Sequence, residues 1–308
     1  MCQLSKILAV REEKKKNKMV LLHVKRGEES LFLLEVGVST GVGEVLERVV
    51  QLHNATLKVL RLCADIEQLA EYGPSLPPEM QGLADEQIEE LNLKDDWAEK
   101  SVASGGEVEN RDPTGRRCGR QPTEKIRKVL LDAVREAKGL VSKELAKAGT
   151  PMTLRHPQDA LALLGGAVTM AYPAGLPPHD PVREERESRE RLEGTQAGKM
   201  VLESAMTQLW FAGKELQCDK RLRDYLGNNE KTKVIVKVQR RGVGAPAREP
   251  QLTPDQQKAL MVQQFKRREE LQKLEEAEDD SYLDSSWADS RQLHRSFQGL
   301  CNITWKPH

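Results

Sequence analysis

The sequence predicts an α+β protein: an N-terminal β-grasp (ubiquitin-like) module, followed by a largely helical region with a possible second small β-grasp-like unit. Three observations lead there. Two apolar, β-branched runs near the N-terminus are separated by a short polar turn. A helical stripe follows them at once. Beyond residue 122, apolar residues recur every three or four positions over long windows.

Residues 1–18 end in Lys14-Lys15-Lys16-Asn17-Lys18 and read as an extension outside the fold. The runs Val20–Lys25 and Ser30–Val36, with Gly27 between them, predict a hairpin. Ser39-Thr40 can cap a helix whose apolar face is Val42, Val45, Leu46, Val49 and Leu52. Asn54 can end that helix in the left-handed conformation. Leu57–Arg61 alternates like a strand, and Ala64–Tyr72 reads as a short helix stopped by Gly73-Pro74. Strand, strand, helix, strand is how a β-grasp begins, so residues 19–73 are assigned to that module.

Residues 74–122 read as a loop with a short helix around Ile88 and Leu91, then a linker rich in Gly, Ser, Arg and Pro. Residues 123–242 form a predicted helical α+β domain. Thr123 caps a helix with Ile126, Leu130, Ala133, Ala137 and Leu140 on one stripe. Thr153–Leu163 predicts a further short helix, and Gly166–Tyr172 a buried strand. Residues 195–226 permit two readings. Val201, Ala205, Leu209, Ala212 and Leu216 form a helical stripe, and periodicity over a long window favours that helix. Alternatively, Gln208–Leu216 with Asp224-Tyr225 resembles the second half of ubiquitin. With the predicted strand Thr232–Gln239, a second β-grasp would then span roughly residues 165–242. Residues 243–308 comprise a linker, a polar helix opened by Pro254-Asp255, and an acidic aromatic tail.

Composition narrows the function. Of 308 residues, 38% are apolar and 31% charged, with only 4% aromatic, so a modest aliphatic core is expected beside solvated helices. Lys plus Arg and Asp plus Glu both number 48, which gives no global attraction to nucleic acid or anionic lipid. The Arg and Glu residues of 183–191 interleave, as on a solvated face. The 5 cysteines are scattered, with no Cys-x-x-Cys, which favours a reducing compartment and argues against zinc. No apolar run is long enough for a membrane helix or a signal-peptide core. A cytoplasmic, nuclear or cytoskeletal protein is expected.

The search for chemistry yields no catalytic residue, no cofactor-binding residue and no metal ligand. There is no Walker A sequence, no Gly-x-Ser-x-Gly and no His-Glu-x-x-His. Gly41-Val42-Gly43 lacks the third glycine of a dinucleotide fingerprint. His23, His53, His156, His179, His294 and His308 stand apart from one another and from cysteines. Ser104-Gly105-Gly106 could suggest a conjugated modifier, but a flexible linker explains it. The predicted interaction residues are Tyr282, Trp287, Phe297 and Trp305, aromatics in a charged tail that cannot build a core of its own. They either dock on a partner or pack back on the protein itself.

Several long, unusual strings then occur in order: Leu76–Leu83 with Asp85–Leu91, Tyr172–Pro181, Gly194–Gly198, Asn229–Lys233, Arg241–Pro250, Trp287–Asp289 and Ile303–Pro307. Through them the chain resembles the Kurly family of cilia- and flagella-associated proteins, from Met19 to its last residues. Residues 1–18 lie outside the family pattern. The resemblance implies a non-enzymatic role in cilium motility, in axonemal dynein arm assembly in the cytoplasm, and in cilium orientation through planar cell polarity. It implies other dynein arm assembly factors as partners, and no nucleic acid, membrane or small-molecule substrate. A structural component of the basal body or axoneme, or a ubiquitin-like interaction module, is the alternative.

Overall fold

A computed structural model describes residues 19–227, 232–247 and 254–276, together with Arg291 and Arg295. The chain falls into two units, one up to Arg248 and one from Glu249 onward.

The predicted hairpin is present. Strand β1 (Met19–Arg26) pairs antiparallel with β2 (Glu29–Gly37). Gly27 turns the chain at φ 63°, a region that a residue without Cβ enters freely. Val20, Leu22 and Val24 alternate inward. Helix α1 follows and runs from Val42 to Tyr72, 31 residues, or about 46 Å at 1.5 Å per residue. The expected cap at Ser39-Thr40 is replaced. The helix N-cap is Gly41, and the N–H of Val42 donates to the Lys220 carbonyl at 2.9 Å. One orphan donor at the helix start is thus satisfied by a segment distant in sequence.

Residue 54 does not end α1. The Asn54 side chain clamps the backbone of Leu202 instead, donating to its carbonyl at 2.8 Å and accepting from its N–H at 3.0 Å. Residues 57–61 are therefore helical rather than a strand. Their alternation spans five residues, whereas Val59, Leu62, Cys63, Ile66, Leu69 and Ala70 are buried at helical spacing. The longer period decides.

After α1 come α2 (Asp85–Glu90), a ribbon of β3 (Glu107–Glu109) and β4 (Arg120–Pro122), α3 (Glu124–Leu140), α4 (Glu144–Ala148) and α5 (Arg155–Ala171). Then follow α6 (Pro181–Arg186), α7 (Gln196–Met200) and a 3-10 turn at Ser204–Met206. The strand expected at 166–172 is the last part of α5, because Ala160, Leu164, Ala167, Val168 and Ala171 share one buried stripe. The stretch that reads as a linker, 101–122, is ordered and holds buried Ser101, Ala103, Asp112 and Arg117. Its diglycine sits in a turn anchored by Ser104 N–H donating to the Ala171 carbonyl at 2.8 Å.

The favoured helix over 195–226 gives way to strands. β5 (Thr207–Phe211) and β6 (Lys214–Leu216) form a hairpin through Ala212-Gly213, both at positive φ. A two-residue loop with both φ values positive matches the twist of its flanking strands. Leu209 and Leu216 face each other across the pair, so their spacing in sequence mimics a helical stripe. The short helix α8 (Arg223–Leu226) then leads toward β7 (Lys233–Arg240).

These strands make no second sheet. The order is β2-β1-β7-β5-β6, with β1 parallel to β7 and the other neighbours antiparallel. That is the β-grasp arrangement, drawn from both ends of the first unit and interrupted by the helical insertion. In the second unit, α9 (Pro254–Glu276) matches the predicted polar helix, and its side chains from 255 to 273 are exposed.

Two cores result, and α1 serves both. Its first half, through Val45, Val49 and Leu52, lies under the sheet with Leu22, Phe32, Leu209 and Val236. Its second half, through Leu62, Ile66 and Leu69, packs with Leu130 and Val134 of α3 and Leu164 and Val168 of α5.

The split sheet makes a testable demand. Residues 19–73 expressed alone lack β7 beside β1 and the helices around Leu62, so the fragment is expected to be unfolded by circular dichroism and to give a collapsed amide NMR spectrum. The chain 19–247 is expected to fold. A dispersed spectrum from the short fragment would overturn the discontinuous-core description.

Candidate functional site

Among the described residues the histidines are hydrogen-bonded and the Cys63 thiol is buried, while Cys218 is exposed. His53 is buried, and its Nε2 meets the Met200 carbonyl at 3.3 Å. Burial is the main cause that lowers its pKa. His23 Nε2 meets Ser30 Oγ at 2.6 Å, His156 Nδ1 accepts from Thr153 N–H at 3.1 Å, and His179 Nε2 meets the Ser75 carbonyl at 3.1 Å. Burial pushes the Cys63 thiol up to about 11 and raises Cys118 as well, which suppresses the nucleophilic thiolate. Among the described residues no group of three or more His, Cys, Asp or Glu side chains could hold a metal ion.

The most structured polar site is an ionic junction where α1 ends. Asp180 is fully buried. It caps α6, with Oδ1 accepting from Val182 N–H at 2.9 Å and Pro181 at the first helical position. Its Oδ2 accepts from Ser75 N–H at 2.9 Å and lies 3.7 Å from Arg117 Nη1. Arg117 also donates to the carbonyls of Gly73 at 2.9 Å and Asp65 at 3.3 Å, closing the C-terminus of α1 with a cation. Gly73 is obligatory there: at φ 77° a Cβ would lie 2.1 Å from the Arg120 carbonyl oxygen.

Arg117 is held by an Asp112 turn. Burial works against the Asp112 charge. Hydrogen bonds from the Thr114 N–H and hydroxyl, and from the N–H groups of Arg117 and Arg116, prevail and hold its carboxyl below the ordinary value. Asp65, about two turns before the helix end, behaves oppositely. Burial pushes its carboxyl up to about 6, with Arg117 pulling the other way.

A second tier lies along the same face of α1. Arg61 Nε meets Glu185 at 2.5 Å and Arg61 Nη2 lies 3.6 Å from Glu190. Lys58 donates to Ser188 at 2.8 Å and sits 3.7 Å from Glu190. The charged run 183–191 is therefore only partly a solvated face, since Glu185 is buried by its pairing with Arg61. Nearby, Trp97 lies between two cations, Lys100 at 5.4 Å and Arg183 at 5.6 Å from its ring centre.

The four aromatic residues expected to bind partners, Tyr282, Trp287, Phe297 and Trp305, lie outside the described residues. The junction itself was not legible as a site. Its one sequence signal is Asp180-Pro181, an N-cap followed by proline, and it closes the string Tyr172–Pro181. The partners Asp65, Ser75 and Arg117 are too far away in sequence to be joined to it by spacing. Two of the family-like strings do meet here, because His179 and Asp180 both bond to Ser75, the residue before Leu76.

Comparison with known proteins gives a consistent set of relatives. The family model described as Cilia- and flagella-associated protein 298 matches residues 207–303. The chain is 54% identical to Cilia- and flagella-associated protein 298 of Rattus norvegicus over 289 residues, covering 94% of this chain and 100% of the relative. It is 52% identical to Cilia- and flagella-associated protein 298-A of Xenopus laevis with the same coverage. The Drosophila melanogaster protein of that name is 49% identical over 288 residues, 94% of this chain and 99% of the relative. No solved structure matches.

The junction generates two predictions. Asp180→Ala leaves the buried Arg117 guanidinium without its carboxylate. Breaking a buried pair in this way costs about 3–5 kcal/mol, to be read from urea unfolding midpoints. Asp65 has a folded-state pKa above its unfolded value, so its charge opposes folding above pH 6, and the penalty is relieved as pH falls toward 4. Asp65→Asn is expected to stabilise the protein at pH 7.5 by about 1–3 kcal/mol, with the gain vanishing near pH 4. His53 acts in the opposite sense: its lowered pKa removes stability as pH falls below about 6.5. The variant must therefore be compared with the parent at each pH.

Proposed function

The chain belongs to the cilia- and flagella-associated protein 298 family, and on that footing we propose that it is a non-enzymatic cytoplasmic factor for motile cilia, acting in assembly of the outer dynein arms of the axoneme. The observation that carries the reading is identity near one half along 94% of the chain to proteins named for their association with cilia and flagella. A role in cilium positioning through planar cell polarity, some residence at the basal body, and other dynein arm assembly factors as partners complete the proposal.

The architecture supports an interaction role. The described histidines are engaged in hydrogen bonds, and Cys63 is buried in the helical core. The second unit offers α9, with Leu260, Met261, Val262, Phe265 and Leu271 all exposed. No described helix is long and apolar enough to cross a membrane.

A second reading, a structural component of the basal body or axoneme, fits the family name equally well. The β-grasp topology favours a third, a ubiquitin-like interaction module. For that third reading, Gly105-Gly106 is an internal turn and no tail for conjugation.

Removal of the protein from multiciliated cells is expected to leave cilia that beat poorly, with outer dynein arms missing from axonemal cross-sections. Intact arms, or stoichiometric cofractionation with purified axonemes, would transfer the assignment to the structural reading.

A further inference from the structure

Helix α5 carries adjacent glycines, Gly165 and Gly166, in its interior, where glycine is among the least favourable residues. Packing does not require either. A Cβ on Gly166 would find no heavy atom within 4 Å. A Cβ on Gly165 would meet the Arg186 guanidinium no closer than 3.6 Å, an ordinary contact. Ala162, Gly166 and Met170 lie four residues apart, on one exposed stripe of the helix.

The missing side chains open a groove of about 720 Å³ between α5, the middle of α1 and the turn after α6. Its apolar lining is the half-buried Leu161, while Leu62 at its edge is fully buried in the helical core. Met170 stands on its rim, 59% exposed. The remaining rim is cationic, with Lys58 and Arg186, and no lining residue carries a carboxylate. Lys58 is already engaged by Ser188 and Glu190. Among the described residues Arg186 makes one long hydrogen bond, to Thr169 Oγ1 at 3.4 Å, and no ion pair. A guanidinium has five N–H donors in a fork that matches a carboxylate, so most of its capacity is uncommitted.

We infer that this groove is a docking site for an amphipathic segment of a partner protein. The segment places an aliphatic or aromatic side chain over Leu161 and against Met170, with a carboxylate next to it on Arg186. Gly166 lets the segment's backbone approach the helix closely, and Met170 adapts its unbranched side chain to the apolar residue. Charge complementarity selects the occupant: with Lys58 paired to Glu190, Arg186 is the rim cation left to meet a charge, and it favours a carboxylate over a basic side chain. One such cation gives too little phosphate neutralisation for nucleic acid. The inference stands on the groove alone, so binding in vitro succeeds or fails independently of what becomes of dynein arms.

The test is a peptide-display library panned on the full chain, with enriched sequences resynthesised as fluorescein-labelled peptides and titrated by fluorescence anisotropy. The expected peptides carry Asp or Glu beside a large apolar residue. Gly166→Trp fills the groove from an exposed position and is expected to weaken binding at least about ten-fold, a difference of ~1.4 kcal/mol. Arg186→Glu is expected to do the same, and replacing the peptide's carboxylate by Lys should restore binding to that variant. Circular dichroism establishes that each variant is folded, and Arg186→Glu, at an exposed site, keeps the test open if Gly166→Trp is not. No enrichment, enriched peptides without carboxylates, affinity unchanged by the folded variants, or displacement by a single-stranded oligonucleotide would each overturn the inference.

Discussion

Helix α1 is one uninterrupted rod whose two halves are buried by different parts of the chain, and the remaining architecture of the first unit follows from that continuity. Its early turns present Val45, Val49 and Leu52 to the sheet, and its late turns present Leu62, Ile66 and Leu69 to α3 and α5. Because a helix transmits its direction rigidly, placing one core fixes the other. Asn54 stands where the halves meet. Its amide is used to grip Leu202, at the point where the chain returns from the insertion toward β5. The insertion therefore leaves and re-enters the β-grasp at positions set by α1, and β7 finds its parallel place beside β1.

The end of the rod is fixed by charge rather than by apolar contact. Arg117 donates to the carbonyl of Gly73, which caps α1, and Asp180 ties Arg117 to the start of α6 and to the backbone of Ser75. Buried ion pairs contribute little net stability against an apolar alternative, but losing one partner is costly. The arrangement therefore serves registration: it allows one way for three loops to converge on one helix end. Asp65 is the group least suited to that environment: its raised pKa reflects burial of the carboxyl, which the nearby Arg117 offsets only in part.

Under the proposed interaction role, this construction has a consequence. Rigid elements position surfaces, and surfaces on rigid elements recognise partners at lower entropic cost than surfaces on loops. The groove beside Gly166 is framed by α1 and α5, two of the best-buried helices in the molecule. Helix α9, by contrast, exposes apolar residues around its circumference, with no single stripe.

Much was legible in the sequence, and the failures share a cause. The β1–β2 hairpin, the first turns of α1, helices α3 and α9 and strand β7 follow from local periodicity and turn residues, because each declares itself within a short window. Family membership was legible too, since long strings of unusual residues do not depend on the fold being known. Tertiary partners decided the rest. Asn54 reads locally as a helix end, but the distant Leu202 backbone makes it a clamp. Leu209 and Leu216 read as one helical stripe, but Val238 pairs with Leu209 and makes it part of a strand. The two halves of the β-grasp looked like two modules because the whole of residues 38–232 separates β2 from β7, and no local pattern records which strand β1 will pair with. Asp180, Arg117 and Asp65 meet only after that pairing has been made. The sequence by itself determined the local elements and the family. The tertiary structure decided which elements share a core, because burial is settled by contacts between residues far apart in the chain.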